Sequence, residues 1–172
     1  RWVTSQRRML SAFGTLCGLR TIELGSGRGA LSVLLARAGA HVTLLDVSDK
    51  ALAQAKRRFD RLGLPAKFLL ADFHDRSTLP AAAFDASLSS GVIEHFQDDD
   101  RTRAIAAHLN VLREGGMAVI SVPNARCLPY RLWKAYLEAR GCWPYGVEIP
   151  YTRRELCGRA TDAGSTDRDV VG

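Results

Sequence analysis

The apolar positions along the chain switch several times between a period of two and a period of about 3.6. Short apolar or alternating runs predict five strands: "RTIEL" at 20–24, "HVTLL" at 41–45, "AKFLLA" at 66–71, "FDASLSS" at 84–90 and "MAVISV" at 117–122. Helical periodicity fills the intervals. A short amphipathic helix is expected over 4–13, and another from Gly29 to Gly39 with Leu31, Leu34, Leu35 and Ala38 inward. Gly39 can end that helix in a left-handed conformation. Ser48 or Asp49 can cap a helix with Leu52, Ala55, Phe59 and Leu62 on its inner face, stopped at Gly63. Asp98–Asp100 suit the positive end of a helix reaching about Arg113, after which "EGG" turns into the fifth strand and Pro123 stops it. One more helix is expected at about 129–140. A T-x-x-E capping box at Thr152 and Glu155 opens the last, and Asp169–Val171 is a candidate start for a sixth strand. Strands alternating with helices argue an α/β fold on a parallel sheet.

Composition narrows the class. The chain has 172 residues, 47% hydrophobic and 24% charged, the balance of a globular domain. It shows no repeat, low-complexity segment or linker, so one domain over 1–172 is expected. No apolar stretch reaches the roughly 18 residues of a membrane span, and no signal-peptide pattern opens the chain. The sequence begins at Arg1 rather than Met, as a trimmed start would. Cys17, Cys127, Cys142 and Cys157 have no C-x-x-C spacing and the four histidines are scattered, so no metal is expected and a reducing, cytoplasmic compartment is the simplest reading. The net charge of +6 raises the question of a nucleic-acid partner. The basic residues are dispersed as Arg7 and Arg8, Lys56–Arg58, Arg101 and Arg103, and Arg153 and Arg154, which reads as solvated helix faces, and no nucleic acid is expected.

The chemistry concentrates in "TIELGSGRGALSVLLARAGAHVTLLDVS". Gly25, Gly27 and Gly29 lie between the first strand and its helix, where bare backbone lets a ligand approach. The helix start favours an anionic group. Asp46 closes the second strand 21 positions after Gly25, a spacing that suits a carboxylate on ribose hydroxyls. A nucleoside-containing cofactor is therefore expected at the carboxyl ends of the strands. "GSGRGA" also satisfies the dinucleotide pattern G-x-G-x-x-A, alone a weak signal. Glu23, just before the loop, would repel a pyrophosphate and attract an amino group or a sulfonium. Asp72, in "LLADF", can accept from an exocyclic adenine amine.

E-x-G-x-G-x-G, then "LLDVS", "ADF", "FDASLSSGVIEHF" and "LREGGMAVISVPN" resemble, in order and spacing, the motifs of class I S-adenosylmethionine-dependent methyltransferases of small-molecule type. The resemblance covers about residues 20–124 as a cofactor-binding core. It leaves about 125–150 as a candidate substrate cap and 151–172 as a shortened C-terminal part. It implies a Rossmann-like parallel sheet flanked by helices and S-adenosyl-L-methionine as cofactor. Glu23, Gly25, Gly27 and Gly29 would line the methionine end. Asp46 would take the ribose, with Val47 against the adenine. Asp72 would take the adenine amine, with Phe73 beside the ring, and Ser90 would lie near the methionine. The family's sheet ends in a hairpin of two further strands, for which this chain has no room after "DAG". The expected fold lacks that C-terminal β-hairpin, and a homodimer or another partner is expected over the open edge.

The implied activity is methyl transfer to an O, N or C acceptor on a small molecule or lipid. His95, in "GVIEHF", is the candidate base, because imidazole titrates near neutrality; the competing role for Glu94 and His95 is to order the loop. The Asn-Pro-Pro-aromatic motif of enzymes acting on the exocyclic amines of bases is absent after the fourth strand. In "ARCLPYRLWKAYLEARGCWPYGVEIPY" the aromatics Tyr130, Trp133, Tyr136, Trp143, Tyr145 and Tyr151 suit packing against the sheet or a dimer interface. A lid over an organic acceptor is the functional alternative, and a membrane-surface role a lesser one. Two rival readings remain: an NAD(P)-dependent oxidoreductase and a non-catalytic, methyltransferase-like partner protein.

Overall fold

A computed structural model describes residues 2–72, 74–75 and 78–170. In chain order the elements are α1 Trp2–Phe13, β1 Arg20–Leu24, α2 Ala30–Arg37, β2 His41–Asp46, α3 Asp49–Leu62, β3 Lys67–Leu70, β4 Phe84–Ser90, a 3-10 turn Ile93–His95, α4 Asp98–Asn110, β5 Leu112–Ser121, α5 Leu128–Ala139 and α6 Arg153–Asp162. The chain divides into two compact units, Arg1–Ser90 with Ala107–Ser121, and Gly91–Ala106 with Val122–Gly172.

The first unit holds a five-stranded sheet in the order β3-β2-β1-β4-β5, all neighbours parallel. The order reverses at β1, so the strand ends on either side of it part to leave room for a ligand. Register assigns the faces. Glu23 pairs with Leu44 and Leu88, and Ile22 with Thr43 and Ser87. Paired residues of a parallel sheet share a face. Val42, Leu44, Ala86 and Leu88 therefore meet Val33 and Leu35 of α2 and Leu52, Ala55 and Phe59 of α3 in one apolar core, with Met9 of α1. On the other face Ser87 donates to the His108 carbonyl at 3.0 Å and lies 3.2 Å from its Nδ1. Burial pushes the His108 imidazole down to about 3, so it stands neutral there.

Capping follows the expected chemistry. Ser48 accepts from the Ala51 N–H and Thr152 from the Glu155 N–H, and Gly63 closes α3 at φ 62°.

Four expectations are corrected. The buried face of α2 is Ser32, Val33 and Leu35, with Leu31 and Ala38 of the expected stripe only partly buried against the same core. A buried acid on β1 holds Ser32 inward and rotates the helix. Leu62 is exposed, since α3 turns out at Gly63. The helix over Asp98–Arg113 stops at Asn110, and Arg113–Gly116 belong to β5 as an irregularity against β4. The Val111 carbonyl is taken by the N–H groups of Ala83 and Phe84, and Arg113 pairs with Asp85. These long-range partners outcompete another helical turn. Asp169 and Val170 form no strand, and Val171 lies outside the described residues.

The second unit is built differently. Its centre is Tyr151, which donates to the Ile93 carbonyl at 3.2 Å and stacks under the Arg101 guanidinium, 3.6 Å from the ring centroid. Arg101 also lies 3.3 Å from Glu155, which accepts from Arg159 at 3.1 Å.

Candidate active site

The loop after β1 is left-handed at Gly25, Gly27 and Gly29, with φ of 65°, 51° and 66°. The latter two glycines serve different ends. A Cβ on Gly29 would stand 2.4 Å from Leu44 Cδ2 and 3.2 Å from Phe59 Cε2, so Gly29 is dictated by helix-on-sheet packing. A Cβ on Gly27 would meet nothing within 4 Å. Gly27 thus presents open backbone to a ligand.

Asp46 clasps this loop. Its Oδ2 accepts from the Gly27 N–H at 2.7 Å and its Oδ1 from the Ser48 N–H at 2.9 Å. Each carboxylate oxygen keeps a further lone pair for an incoming hydroxyl. Glu23 binds the start of α2 instead. It is buried, and its Oε2 accepts from both the backbone N–H (2.9 Å) and the hydroxyl of Ser32. Burial raises its carboxyl to about 7, with the Ser32 hydrogen bonds pulling down and the Asp46 charge adding slightly to the rise. An acid poised at neutrality becomes a full anion beside a cationic ligand, so the expected attraction for an ammonium or sulfonium has a physical basis.

The neighbouring strand ends supply the remaining candidates. Val47 follows β2 with 66% of its surface exposed, an apolar wall without a protein cover. Asp72 lies two residues past β3, exposed, and accepts from the His74 N–H at 2.9 Å, which fixes its turn. Phe73 lies outside the described residues. Ser90 ends β4 and is exposed, paired in register with Ser121. Sequence reasoning missed two buried serines. Ser26 sits inside the glycine loop and Ser89 near the end of β4, and both hydroxyls lack a hydrogen-bond partner among the described residues. A serine between two glycines carries no periodic signal, and only the fold shows it as an orphan donor. Open backbone at Gly27, an orphan hydroxyl, an uncovered apolar wall and two acids fit a nucleoside with a cationic end.

His95 belongs to the second unit, in the 3-10 turn after β4. Its Nδ1 lies 2.7 Å from the Val147 carbonyl. A carbonyl only accepts, so Nδ1 carries the proton and Nε2 keeps the basic lone pair. Glu94 beside it is buried, and its carbonyl accepts from the Ile149 N–H at 2.8 Å. Glu148, not singled out in the sequence, accepts from the Tyr130 hydroxyl. Burial and that carboxylate hold the Tyr130 phenol above its usual range. Glu94, His95 and Glu148 bring one ligand atom each within 4.8 Å of one another, a mixed oxygen and nitrogen donor set of the kind borderline divalent ions accept.

Comparison with known proteins places these residues in context. Residues 22–116, more than half of the chain, match a family described as a methyltransferase domain. The ubiquinone biosynthesis O-methyltransferase of Aromatoleum aromaticum is 36% identical over 124 residues, 72% of this chain and 50% of that protein. The protein of the same name from Paramagnetospirillum magneticum is 36% identical over 160 residues, 90% of this chain and 62% of that protein. The chain thus spans about half to two thirds of these relatives. In fold it is similar to the magnesium protoporphyrin IX methyltransferase of Synechocystis PCC 6803, solved with bound S-adenosylhomocysteine. The TM-score is 0.73 and the identity 24%, covering 94% of this chain and 71% of that one.

Proposed function

The chain belongs to the class I S-adenosylmethionine-dependent methyltransferase family, and from that premise we propose that it methylates an oxygen of a small organic acceptor. The observation that carries the cofactor assignment is the Gly27 backbone, open where a side chain would stand and clasped by the Asp46 carboxylate. The O-methyltransferase names of the relatives support the choice of acceptor atom, and so does the lack of an Asn-Pro-Pro-aromatic motif after β4. Bound S-adenosylmethionine supplies a methyl already activated on a sulfonium sulfur.

The residues then divide the work. Gly25, Gly27 and Gly29 give the bare main chain, with the Ser26 hydroxyl as a spare donor. Asp46 takes the ribose hydroxyls, Val47 covers the adenine face with Phe73, and Asp72 takes the adenine amine. Glu23 complements the cationic methionine end, beside Ser90. With the cofactor held in this way, an acceptor oxygen would have to be aligned with the activated methyl group. By its place in the sequence just after β4, His95 is the candidate base for the acceptor proton, and its Nδ1 is held by the Val147 carbonyl. Alignment of the reacting atoms can contribute roughly 7–11 kcal/mol, more than any single proton transfer. The four free cysteines support a cytoplasmic setting, and no described helix is long and apolar enough to cross a membrane.

The test is calorimetric and chemical. S-adenosylhomocysteine at 100 times its Kd should raise stability by about 2.7 kcal/mol, and NADPH should leave it unchanged. Asp46→Ala should abolish that gain, since ribose contacts and the loop clasp are lost together. His95→Ala should slow product formation about 100-fold or more with cofactor affinity near wild type. A shift with NADPH alone returns the oxidoreductase reading. Cofactor binding without turnover on any phenolic or other hydroxyl acceptor returns the non-catalytic one.

A further inference from the structure

Helix α5, "LPYRLWKAYLEA", has no buried residue. Its aromatics Trp133 and Tyr136 stand 49% and 57% exposed, which leaves the dimer-interface and lid alternatives open. Within its unit only the Tyr130, Lys134 and Leu137 side is partly covered. Tyr130 bonds to Glu148, and the Lys134 ammonium lies 4.7 Å from the centroid of the Trp143 ring. The opposite side presents Leu128 and Leu132 with 60% and 63% of their surface exposed, one turn apart, flanked by Trp133 and Tyr136. The surface continues through a ladder of edge-on rings, Trp133 to Trp143 at 5.4 Å and Trp143 to Tyr145 at 5.2 Å, to exposed Val147 and Ile149. A 12-residue helix is marginal in water without a partner for its apolar side. Apolar surface this continuous marks a docking site.

The charge around it selects the partner. Residues 126–154 contain six arginines and lysines against two glutamates. Both glutamates are engaged within the unit, Glu138 by Lys134 and Glu148 by Tyr130. The excess is therefore positive, with Arg126, Arg131 and Arg140 exposed beside the leucines. A second copy of the chain would bring the same positive charge against this face, which disfavours a homodimer there. Aromatic rings with polar edges, leucines one turn apart and a basic border match the boundary between acyl chains and anionic headgroups.

We propose that α5 and the 143–149 segment dock this protein on an anionic lipid surface, the leucines and tryptophans entering the headgroup boundary and Arg126, Arg131 and Arg140 facing lipid phosphates. Docking does not require methyl transfer, so either conclusion can fail alone.

Flotation of the 172-residue chain with vesicles tests it, using phosphatidylcholine alone and phosphatidylcholine with a third phosphatidylglycerol. The protein should float with the anionic vesicles and stay behind with the neutral ones. Leu132→Asp should lower partitioning at least about tenfold. Arg131→Glu should lower it by about fivefold or more. Both side chains are exposed, so unchanged melting temperatures and unchanged S-adenosylhomocysteine binding should accompany the loss. Absence from vesicles of either composition overturns the proposal, as does equal recovery on both. A solution dimer that Leu132→Asp dissociates also overturns it, by assigning the face to a second copy.

Discussion

The two units bury different matter. The first is a sheet whose apolar face, from Val42 and Leu44 to Ala86 and Leu88, is closed by α1, α2 and α3. Among its buried polar groups, Glu23 is held on Ser32 and Ser87 on His108. The second turns on a buried arginine. Arg101 is enclosed by the Tyr151 ring and the Glu155 carboxylate, while Arg159 ties the Asp98 carbonyl (2.7 Å) and Thr102 hydroxyl (3.1 Å) to the same network. Apolar burial is non-directional and tolerates exchange of similar volumes. A buried cation demands its partners in place. The first unit is therefore a packing problem with glycines at its tight points, and the second an electrostatic one.

Glycine substitutions separate them most sharply. Gly29→Ala adds a methyl 2.4 Å from Leu44 Cδ2 at a left-handed φ of 66°. Backbone strain of about 1–2 kcal/mol and overpacking of a similar size should together cost about 2–4 kcal/mol. Gly141→Ala, at φ 63° with open space around it, should cost about 1 kcal/mol. Urea unfolding of the two variants measures both. Equal costs would mean that α2 slides on the sheet, and the packing account of Gly29 would fall.

Arg101 comes next. Arg101→Ala strips the cover from the Tyr151 ring and leaves Glu155 to Arg159 alone, at about 2–3 kcal/mol. Arg101→Met keeps length and ring contact and should recover roughly half. Hydrogen exchange should accelerate in Gly91–Ala106 and Val122–Gly172 and stay slow in β1, β2 and β4. Uniform acceleration through both units would show a single cooperative core and erase the contrast.

This division also governs what could be read from sequence. Strand periods and helix caps in the first unit depend on local pattern, so β1, β2, β4 and the cap at Ser48 fall where the pattern puts them. The α2 face did not, because one buried carboxylate on β1 decides which side of that helix turns in. The glycine loop was legible as a ligand site, but the division of labour between Gly27 and Gly29 depends on Leu44 and Phe59, which are far along the chain. In the second unit His95 was legible by its position after β4. Its Val147 anchor, the Glu148–Tyr130 pair and the Arg101–Tyr151 stack have no period at all. The aromatics of α5 suit packing against the sheet or a dimer interface because aromatic residues are commonly buried, and only the fold shows Trp133 and Tyr136 about half exposed.

The smallest effect is expected where two titrations cancel. Both groups sit in the first unit. Glu23 has its folded pKa raised to about 7 from 4.5, so the folded state holds the extra proton and stability falls as pH rises between those values. His108 is lowered to about 3 from 6.5, so the unfolded state holds the extra proton and stability falls as pH drops between those values. The windows overlap from pH 4.5 to 6.5 with opposite slopes of about 1.4 kcal/mol per pH unit each. Unliganded wild type should then show nearly constant urea stability across that interval, and lose stability below it as only His108 continues to titrate. Glu23→Gln keeps an acceptor for Ser32 while removing the ionisation, and should expose the His108 slope as stability rising by about 2–3 kcal/mol from pH 4.5 to 6.5. A variant as flat as wild type would mean that Glu23 is ionised throughout and that its burial is relieved by water. The carboxylate would then be a permanent anion facing the loop, and cofactor affinity would lose the rise through neutral pH that the protonated acid imposes.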